Sequence, residues 1–276
     1  MINFKTLIYS YIIINSLFNS VNGSNVNAQS FKGRTEPVHE AVLSSSVDGK
    51  IKSILFQEGQ WVKKGDPVVH LNNKEQELEV KLRYIIWKNK TAIEAAQSEE
   101  QSIQSLFESS NRLFENNRSV SKEELIRLKM RYDQARFKRL ELEHREEEEQ
   151  IQYELAKEHL EKRCLNAPIK GIITDIYIHA GERCKPNESL IKIVDPTECY
   201  FVCNMEEQYG QVLKTGHQVM LEIQTGQKQI MTYGQVVFVS PIVDSASGFM
   251  KIKAKFDNKE LRFRPGVSGN LIIKSE

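Results

Sequence analysis

Val47-Asp48-Gly49-Lys50-Ile51 and Ile169-Lys170-Gly171-Ile172-Ile173 share one pattern and stand as far apart as 49 is from 171. The same offset lays Gly59 on Gly181, Asp66 on Glu188, Val68 on Leu190 and Leu71 on Ile193. About 25 residues align without a gap, the signature of an internal repeat. In the first copy Ile51, Ser53 and Leu55 alternate with Ile54 and Phe56; a glycine turn and a second short apolar run follow. Each copy therefore reads as two strands and two turns. One such unit leaves a face of its strands bare, and two packed together cover both. The repeat predicts that residues 45–72 and 167–195 fold as one β sandwich, despite the long interval between them.

That interval reads as helix. Neither Gly nor Pro occurs from Lys74 to Asn116 or from Ser121 to Arg163. Each segment is long enough for a helix of about 64 Å at roughly 1.5 Å per residue. Apolar residues recur at alternating spacings of four and three. The first segment gives a seam of Leu78, Leu82, Ile85, Asn89, Ala92, Ala96, Glu99, Ile103, Leu106, Ser110 and Leu113. The second gives Leu125, Leu128, Tyr132, Ala135, Arg139, Leu142, Glu146, Glu149, Tyr153, Ala156 and Leu160. This is a coiled-coil pattern with polar interruptions. Folding back at 117–120 sets Glu99 and Glu100 against Arg136, Lys138 and Arg139, and the Glu146–Glu149 run against Lys88 and Lys90, so the interruptions match in charge. At the tip, Asn116-Asn117-Arg118-Ser119 is turn sequence. Ser121 with Glu124 makes a capping box, and Val120 with Leu125 a hydrophobic staple.

After Cys199 the helical period disappears. Val219–Ile223, Gly234–Val239, Phe249–Phe256 and Asn270–Ile273 read as strands of a small antiparallel barrel. Lys251, Lys253 and Lys255 alternate with Ile252, Ala254 and Phe256, one wet face and one core face. Residues 206–213 carry a weak helical signal.

The 276 residues carry 38 Lys+Arg against 37 Asp+Glu, a balance that argues against a nucleic-acid binder. The start is different in kind: Lys5, a mostly apolar run from Leu7 to Phe18, then Val26-Asn27-Ala28 or Val21-Asn22-Gly23 as a small-residue cleavage site. This describes an export signal over residues 1–28; a retained anchor is the other reading. No cysteine precedes Cys164, so no N-terminal cysteine is offered for lipid modification. Cys164, Cys184, Cys199 and Cys203 read as free thiols, because Cys199 and Cys203 sit four apart on one strand, too far to bridge. The six histidines are scattered, and no G-x-S-x-G, H-E-x-x-H or phosphate-binding glycine loop occurs. No catalytic, cofactor or metal site is expected.

The order sandwich half, hairpin, sandwich half, barrel resembles the periplasmic adaptor family, also called membrane fusion or HlyD-type proteins. The resemblance covers roughly residues 31–273. It is carried by Val47–Ile51, Glu58-Gly59-Gln60-Trp61-Val62-Lys63-Lys64-Gly65-Asp66, Ala167-Pro168-Ile169-Lys170-Gly171 and Ala180-Gly181-Glu182. In the barrel it is carried by Gly234-Gln235-Val236, Ser240-Pro241-Ile242-Val243-Asp244 and Leu261-Arg262-Phe263-Arg264-Pro265-Gly266. The two half-motifs are also similar to the halves of a lipoyl or biotinyl carrier domain. The fold expected is α+β: a split lipoyl-like sandwich (45–72 with 167–195), an inserted antiparallel coiled-coil hairpin (73–164) and a small antiparallel barrel (196–276), with 29–44 as an N-terminal strand segment.

What the resemblance implies is a non-catalytic periplasmic adaptor associated with the inner membrane. It would link an inner-membrane efflux transporter, of RND or ABC type, to an outer-membrane channel, and would self-associate into a ring of three or six copies. The hairpin tip is the expected docking surface: Leu113, Phe114, Arg118, Val120 and Ser121. Family tips carry Arg, Leu and Ser at set spacing; counting back from Ser121, Phe114 stands for the Leu and Ser110 for the Arg. A fourth, membrane-proximal module of the family is small or missing in this sequence. The alternatives are a lipoyl- or biotinyl-type carrier, for which the modifiable Met-Lys-Met turn is lacking, and a purely structural coiled-coil scaffold, which leaves the repeat unexplained.

Overall fold

The computed structural model describes residues 28–274. The residues of the export-signal reading, 1–27, lie outside them. In chain order the elements are β1 (Ala28–Ser44), β2 (Gly49–Ile54), β3 (Trp61–Val62), β4 (Pro67–Leu71), α1 (Lys74–Lys88), α2 (Thr91–Asn117), α3 (Lys122–Glu161), β5 (Cys164–Asn166), β6 (Gly171–Ile176), β7 (Arg183–Cys184), β8 (Ser189–Glu206), α4 (Glu207–Gly210), β9 (Gln218–Thr225), β10 (Lys228–Val239), β11 (Phe249–Asp257) and β12 (Ser268–Lys274). Two compact units result. Among the described residues, one comprises 41–194 and the other 28–40 together with 195–274.

In the first unit the repeat folds into a pseudo-two-fold pair. Strand β2 pairs β4 and β7, while β6, its repeat equivalent, pairs β8 and β3. The connecting hydrogen bonds are reciprocal. Gly59 N donates to Ile173 O (2.8 Å) and Gly181 N to Ile51 O (2.9 Å); Ile173 N donates to Gln60 O (3.0 Å) and Ile51 N to Glu182 O (2.8 Å). The turn caps repeat as well, Asp66 Oδ2 accepting from Lys63 N and Glu188 Oε2 from Lys185 N, both at 2.8 Å. Gly65 has φ +91°, and its equivalent Asn187, at φ +64°, is the residue type that best tolerates the left-handed region after glycine. Between the halves Ile51, Val68, Val69, Leu71, Ile173, Leu190, Ile191 and Ile193 are fully buried. Each such side chain contributes about 1.5–3 kcal/mol when removed from water.

The helices form an antiparallel hairpin, α1 and α2 both packing on α3. Here the first helical segment differs from the single helix the sequence predicts: it breaks at Asn89 and Lys90. Asn89 adopts an extended ψ of 92°, and its Oδ1 accepts from Thr91 N at 3.3 Å. An asparagine amide competes with the backbone for such bonds, which disfavours it inside helices. The continuous α3, 40 residues and roughly 60 Å long, splints the break. It starts as the capping motif predicts, Ser121 Oγ accepting from Glu124 N at 3.1 Å.

The seam of α3 is the predicted one: each of the eleven residues from Leu125 to Leu160 is buried or half-buried. The seam of the first segment is rotated. Gln76, Val80, Arg83 and Trp87 face α3, and Leu78, Leu82 and Ile85 face solvent. Arg83 Nη1 donates to Gln152 Oε1 at 2.6 Å, and Trp87 stacks on Tyr153 with ring centroids 5.3 Å apart. In α2, Ile93, Ala96, Glu100, Ile103, Phe107, Ser110 and Phe114 turn inward; Ala92, Glu99, Leu106 and Leu113 of the predicted seam are exposed.

The second unit is a six-stranded barrel, β1–β12–β9–β10–β11–β8, closed by pairing of β1 with β8. Phe201, Met205, Leu221, Ile223, Ile252 and Leu271 fill it. Its β1 portion, up to Glu40, comes from the segment the sequence set apart as 29–44. Gly33 explains the tight closure, since a Cβ there would lie 2.4 Å from Val202 O. The weak helical signal before Leu213 becomes the single turn α4. Cys199 and Cys203 are buried free thiols in this core; Cys184 is buried and Cys164 half-buried, both free, in the other unit.

Candidate functional site

Most of the exposed large apolar side chains of the first unit lie on the hairpin, so the candidate site is built along it. Glu100 pins its middle: only 8% exposed, it accepts from Arg139 Nε across the seam, while Arg139 Nη1 donates to Glu143 at 2.6 Å one turn along α3. The two carboxylates hold the Arg139 guanidinium above the usual arginine range. Lys90 pairs with Glu146. With Arg83–Gln152 below and Phe107 stacked on Tyr132 above (6.3 Å, 2° between planes), the register is fixed along the whole length.

The structure separates the five predicted tip residues. Ser121 caps α3 and Val120 is half-buried beside it. Arg118 ends α2 in the left-handed region (φ +53°), exposed, its N–H donating to Phe114 O at 3.2 Å. Leu113, read as a seam residue, is 48% exposed, whereas Phe114, left out of the predicted seam, is half-buried and in line with Phe107 and Ser110 on the inward face. In burial these two neighbours are therefore the reverse of the predicted seam. Ala96, Ile103 and Ser110 keep their predicted inward places, while those of Ala92, Glu99, Leu106 and Leu113 pass to the next residue, so the helix is turned by about half a residue, or roughly 50°.

Two further surfaces were missed by the sequence reading. On α3, Ile126, Met130 and Phe137 form one exposed apolar patch opposite the seam and Ile151 and Leu155 a second on the same face, with Glu141, His144 and Glu148 exposed between them. On α1, Leu78, Leu82 and Ile85 form a second outward stripe, at the level of Leu155 and Ile151 as judged from the Arg83–Gln152 contact. The outward face of α2 is instead small and polar. Ser98, Ser102, Ser105 and Ser109 each donate to the carbonyl four residues back at 2.8–2.9 Å, leaving no hydroxyl hydrogen outward. A second apolar stripe with heptad spacing is visible in the α3 sequence once the first is set aside.

Among the described residues no cluster of His, Cys, Asp and Glu could hold a metal ion, and no helix is long and apolar enough to cross a membrane. The architecture is a split sandwich carrying a long hairpin, followed by a barrel. The family model described as "RND MFP, barrel-sandwich hybrid domain" matches residues 39–196, more than half of the chain. The chain belongs to this membrane fusion protein family. Among curated proteins this membrane fusion protein is similar to the multidrug resistance protein MdtA of Photorhabdus laumondii, 24% identical over 253 residues, which is 88% of this chain and 59% of MdtA. The chain thus spans less than two thirds of that relative's length. Among solved structures it is similar to MacA from Actinobacillus actinomycetemcomitans, with a TM-score of 0.69 at 19% identity, covering 89% of this chain and 78% of MacA. A MacA–MexA chimera containing the Pseudomonas aeruginosa MexA α-hairpin domain gives a TM-score of 0.57 at 20% identity, covering 90% and 80%. These two likenesses place the membrane fusion fold on nearly the whole chain.

Proposed function

We propose that this membrane fusion protein acts as a periplasmic adaptor. Its hairpin tip meets an outer-membrane channel, and its remaining units engage an inner-membrane efflux transporter, of RND or ABC type. The chain contributes no chemistry; it is a spacer and seal, and its split sandwich is lipoyl-like in architecture without carrying a lipoyl group. Copies of the chain stand side by side in a ring.

The observation that carries this reading is the pair of outward apolar faces on opposite sides of one hairpin. A hairpin serving only as a scaffold for its own chain has no use for Phe137, 66% exposed, for Met130 two turns before it, or for Leu155 farther along the same helix. Exposed apolar patches rimmed by polar residues mark protein contacts. One stripe lies on α3 and a different one on α1, so contact between copies is heterologous, and a heterologous contact closes into a ring when the rotation allows.

The test is oxidative crosslinking of a mixture of two single variants, Leu82→Cys and Leu155→Cys. Disulfide-linked dimers containing one of each are expected, well above the yield from either variant alone. Equal yields from the mixture and from the unmixed variants would sink the side-by-side arrangement.

A further inference from the structure

In the barrel, β10 departs from strict alternation. Gly234 and Val236 point into the core and Gln235 points out, as the pleat requires. Between Val236 and Phe238 the register with β11 then shifts by one residue. This bulge leaves Val237 (36% exposed) and Phe238 (40% exposed) both on the outer surface, two successive apolar side chains where an unbulged strand would bury one. Earlier on the same strand Met231 and Tyr233 also face out, Tyr233 at 68%.

The neighbouring strands supply positive charge. Phe238 pairs with Lys253, and Lys253 pairs with Val202 of β8. Lys251, Lys253 and Lys255 line one face of β11. Lys255 is held by Glu198 at 3.0 Å and the Lys253 ammonium lies 5.5 Å from the Tyr200 ring centroid, while Lys251 has no ion-pair partner among the described residues. Tyr200, Val237, Phe238, Lys251 and Lys253 together line an open depression of about 410 Å³.

We infer that this outer face of β10, β11 and β8 seats on an anionic lipid surface. Aromatic and apolar side chains beside lysines are the pairing that suits the boundary between headgroups and acyl chains: the rings enter the interface and the ammonium groups stay with the lipid phosphates. Long lysine stems reach past the rings to do so. Charge complementarity selects lipid over an apolar protein groove, because among the described residues the three lysines at alternate positions of one strand meet a single acidic side chain, Glu198, in an ion pair. The contact is peripheral and adds to any attachment made elsewhere in the chain; it does not depend on the adaptor reading.

A position-specific measurement tests this. The full chain carrying Phe238→Trp is mixed with vesicles of phosphatidylglycerol whose acyl chains are brominated, and its tryptophan emission is compared with that of the parent, which has only Trp61 and Trp87. Bromine quenching of the added emission is expected in anionic vesicles, with at least a severalfold smaller effect in phosphatidylcholine vesicles and when Lys251→Gln and Lys253→Gln are combined with it. Quenching absent in anionic vesicles, or unchanged by the double lysine replacement, overturns the assignment. So does capture of a detergent-solubilised transporter that needs Phe238 while vesicles give no quenching, since the face would then belong to a protein.

Discussion

Arg139 joins Glu100 across the hairpin and Glu143 along its own helix, so one guanidinium ties both limbs together at the point where the apolar seam is interrupted. Removing Arg139 leaves Glu100 largely buried without compensation, the costly way to break an ion pair. Arg139→Ala should therefore lower stability measurably, because the carboxylate left behind is the buried partner. Glu100→Leu combined with Arg139→Leu should regain most of that loss. Denaturant unfolding of the three variants checks this; an Arg139→Ala variant as stable as the parent would show the pair to be ornamental.

At the tip, Leu113 and Phe114 should behave oppositely. Leu113→Asp places a charge on an exposed position and should leave the melting temperature within a degree or two while weakening pull-down of an outer-membrane channel. Phe114→Asp turns a carboxylate into the seam and should lower stability by about 2 kcal/mol or more. Melting curves and pull-down on the same preparations separate the two. If both variants lose stability equally, the rotation assigned to α2 is wrong.

The turn pair Gly65 and Asn187 allows a comparison across the repeat. Gly65→Ala forces a Cβ into the left-handed region and should cost roughly 1–2 kcal/mol. Asn187→Gly removes the same strain and should be neutral or slightly stabilising, because the flexibility gained by the unfolded chain offsets part of the relief. Thermal unfolding of both variants, each compared with the parent, is the measurement.

Burial pushes the Cys199 thiol up to about 11 and the Cys203 thiol up to about 12, desolvation being the main cause for each. At pH 8 both should resist a thiolate-specific reagent in the folded barrel and react at once in denaturant. The linkage has a definite sign. A raised folded pKa means the native state holds protons that the unfolded state releases near pH 8.5. The contribution is complete below that value and is lost as pH rises towards 11–12. Cys199→Ala with Cys203→Ala should flatten the decline in stability over that range.

How far the sequence could be read differs limb by limb. The repeat was legible because its spacing is shared by strands, turns and caps at once, so its hydrogen bonds return as reciprocal pairs. The α3 seam was legible because the helix runs without a break from Lys122 to Glu161, so one heptad register holds throughout. The α1 seam was not, because period alone finds an apolar stripe without saying what it faces. Leu78, Leu82 and Ile85 turn outward, and the inward places go to Arg83 and Trp87, which find partners in Gln152 and Tyr153. The matching of charges placed Glu100 near Arg139 correctly, yet Glu99, matched with it, is exposed. The break at Asn89 carries no Gly or Pro to announce it. The outward Val237 and Phe238 were hidden because a bulge is a backbone event, and the residues flanking it look like ordinary strand.

The repeat also sets the order in which the chain can fold. Leu71 N bonds to Arg163 O at 2.8 Å, so the two sandwich halves meet where the hairpin begins and ends. Joined by an unstructured loop of that length, the halves would face a closure entropy of roughly 4 kcal/mol at (3/2)RT ln n. The hairpin removes this obstacle in advance: starting from the Ser121 cap, α2 and α3 zip together by local contacts, and each turn formed brings the distant halves nearer. A topology that looks slow when sequence separation is counted thereby becomes one of short successive steps, with the sandwich closing last, on ends the helices have already brought together.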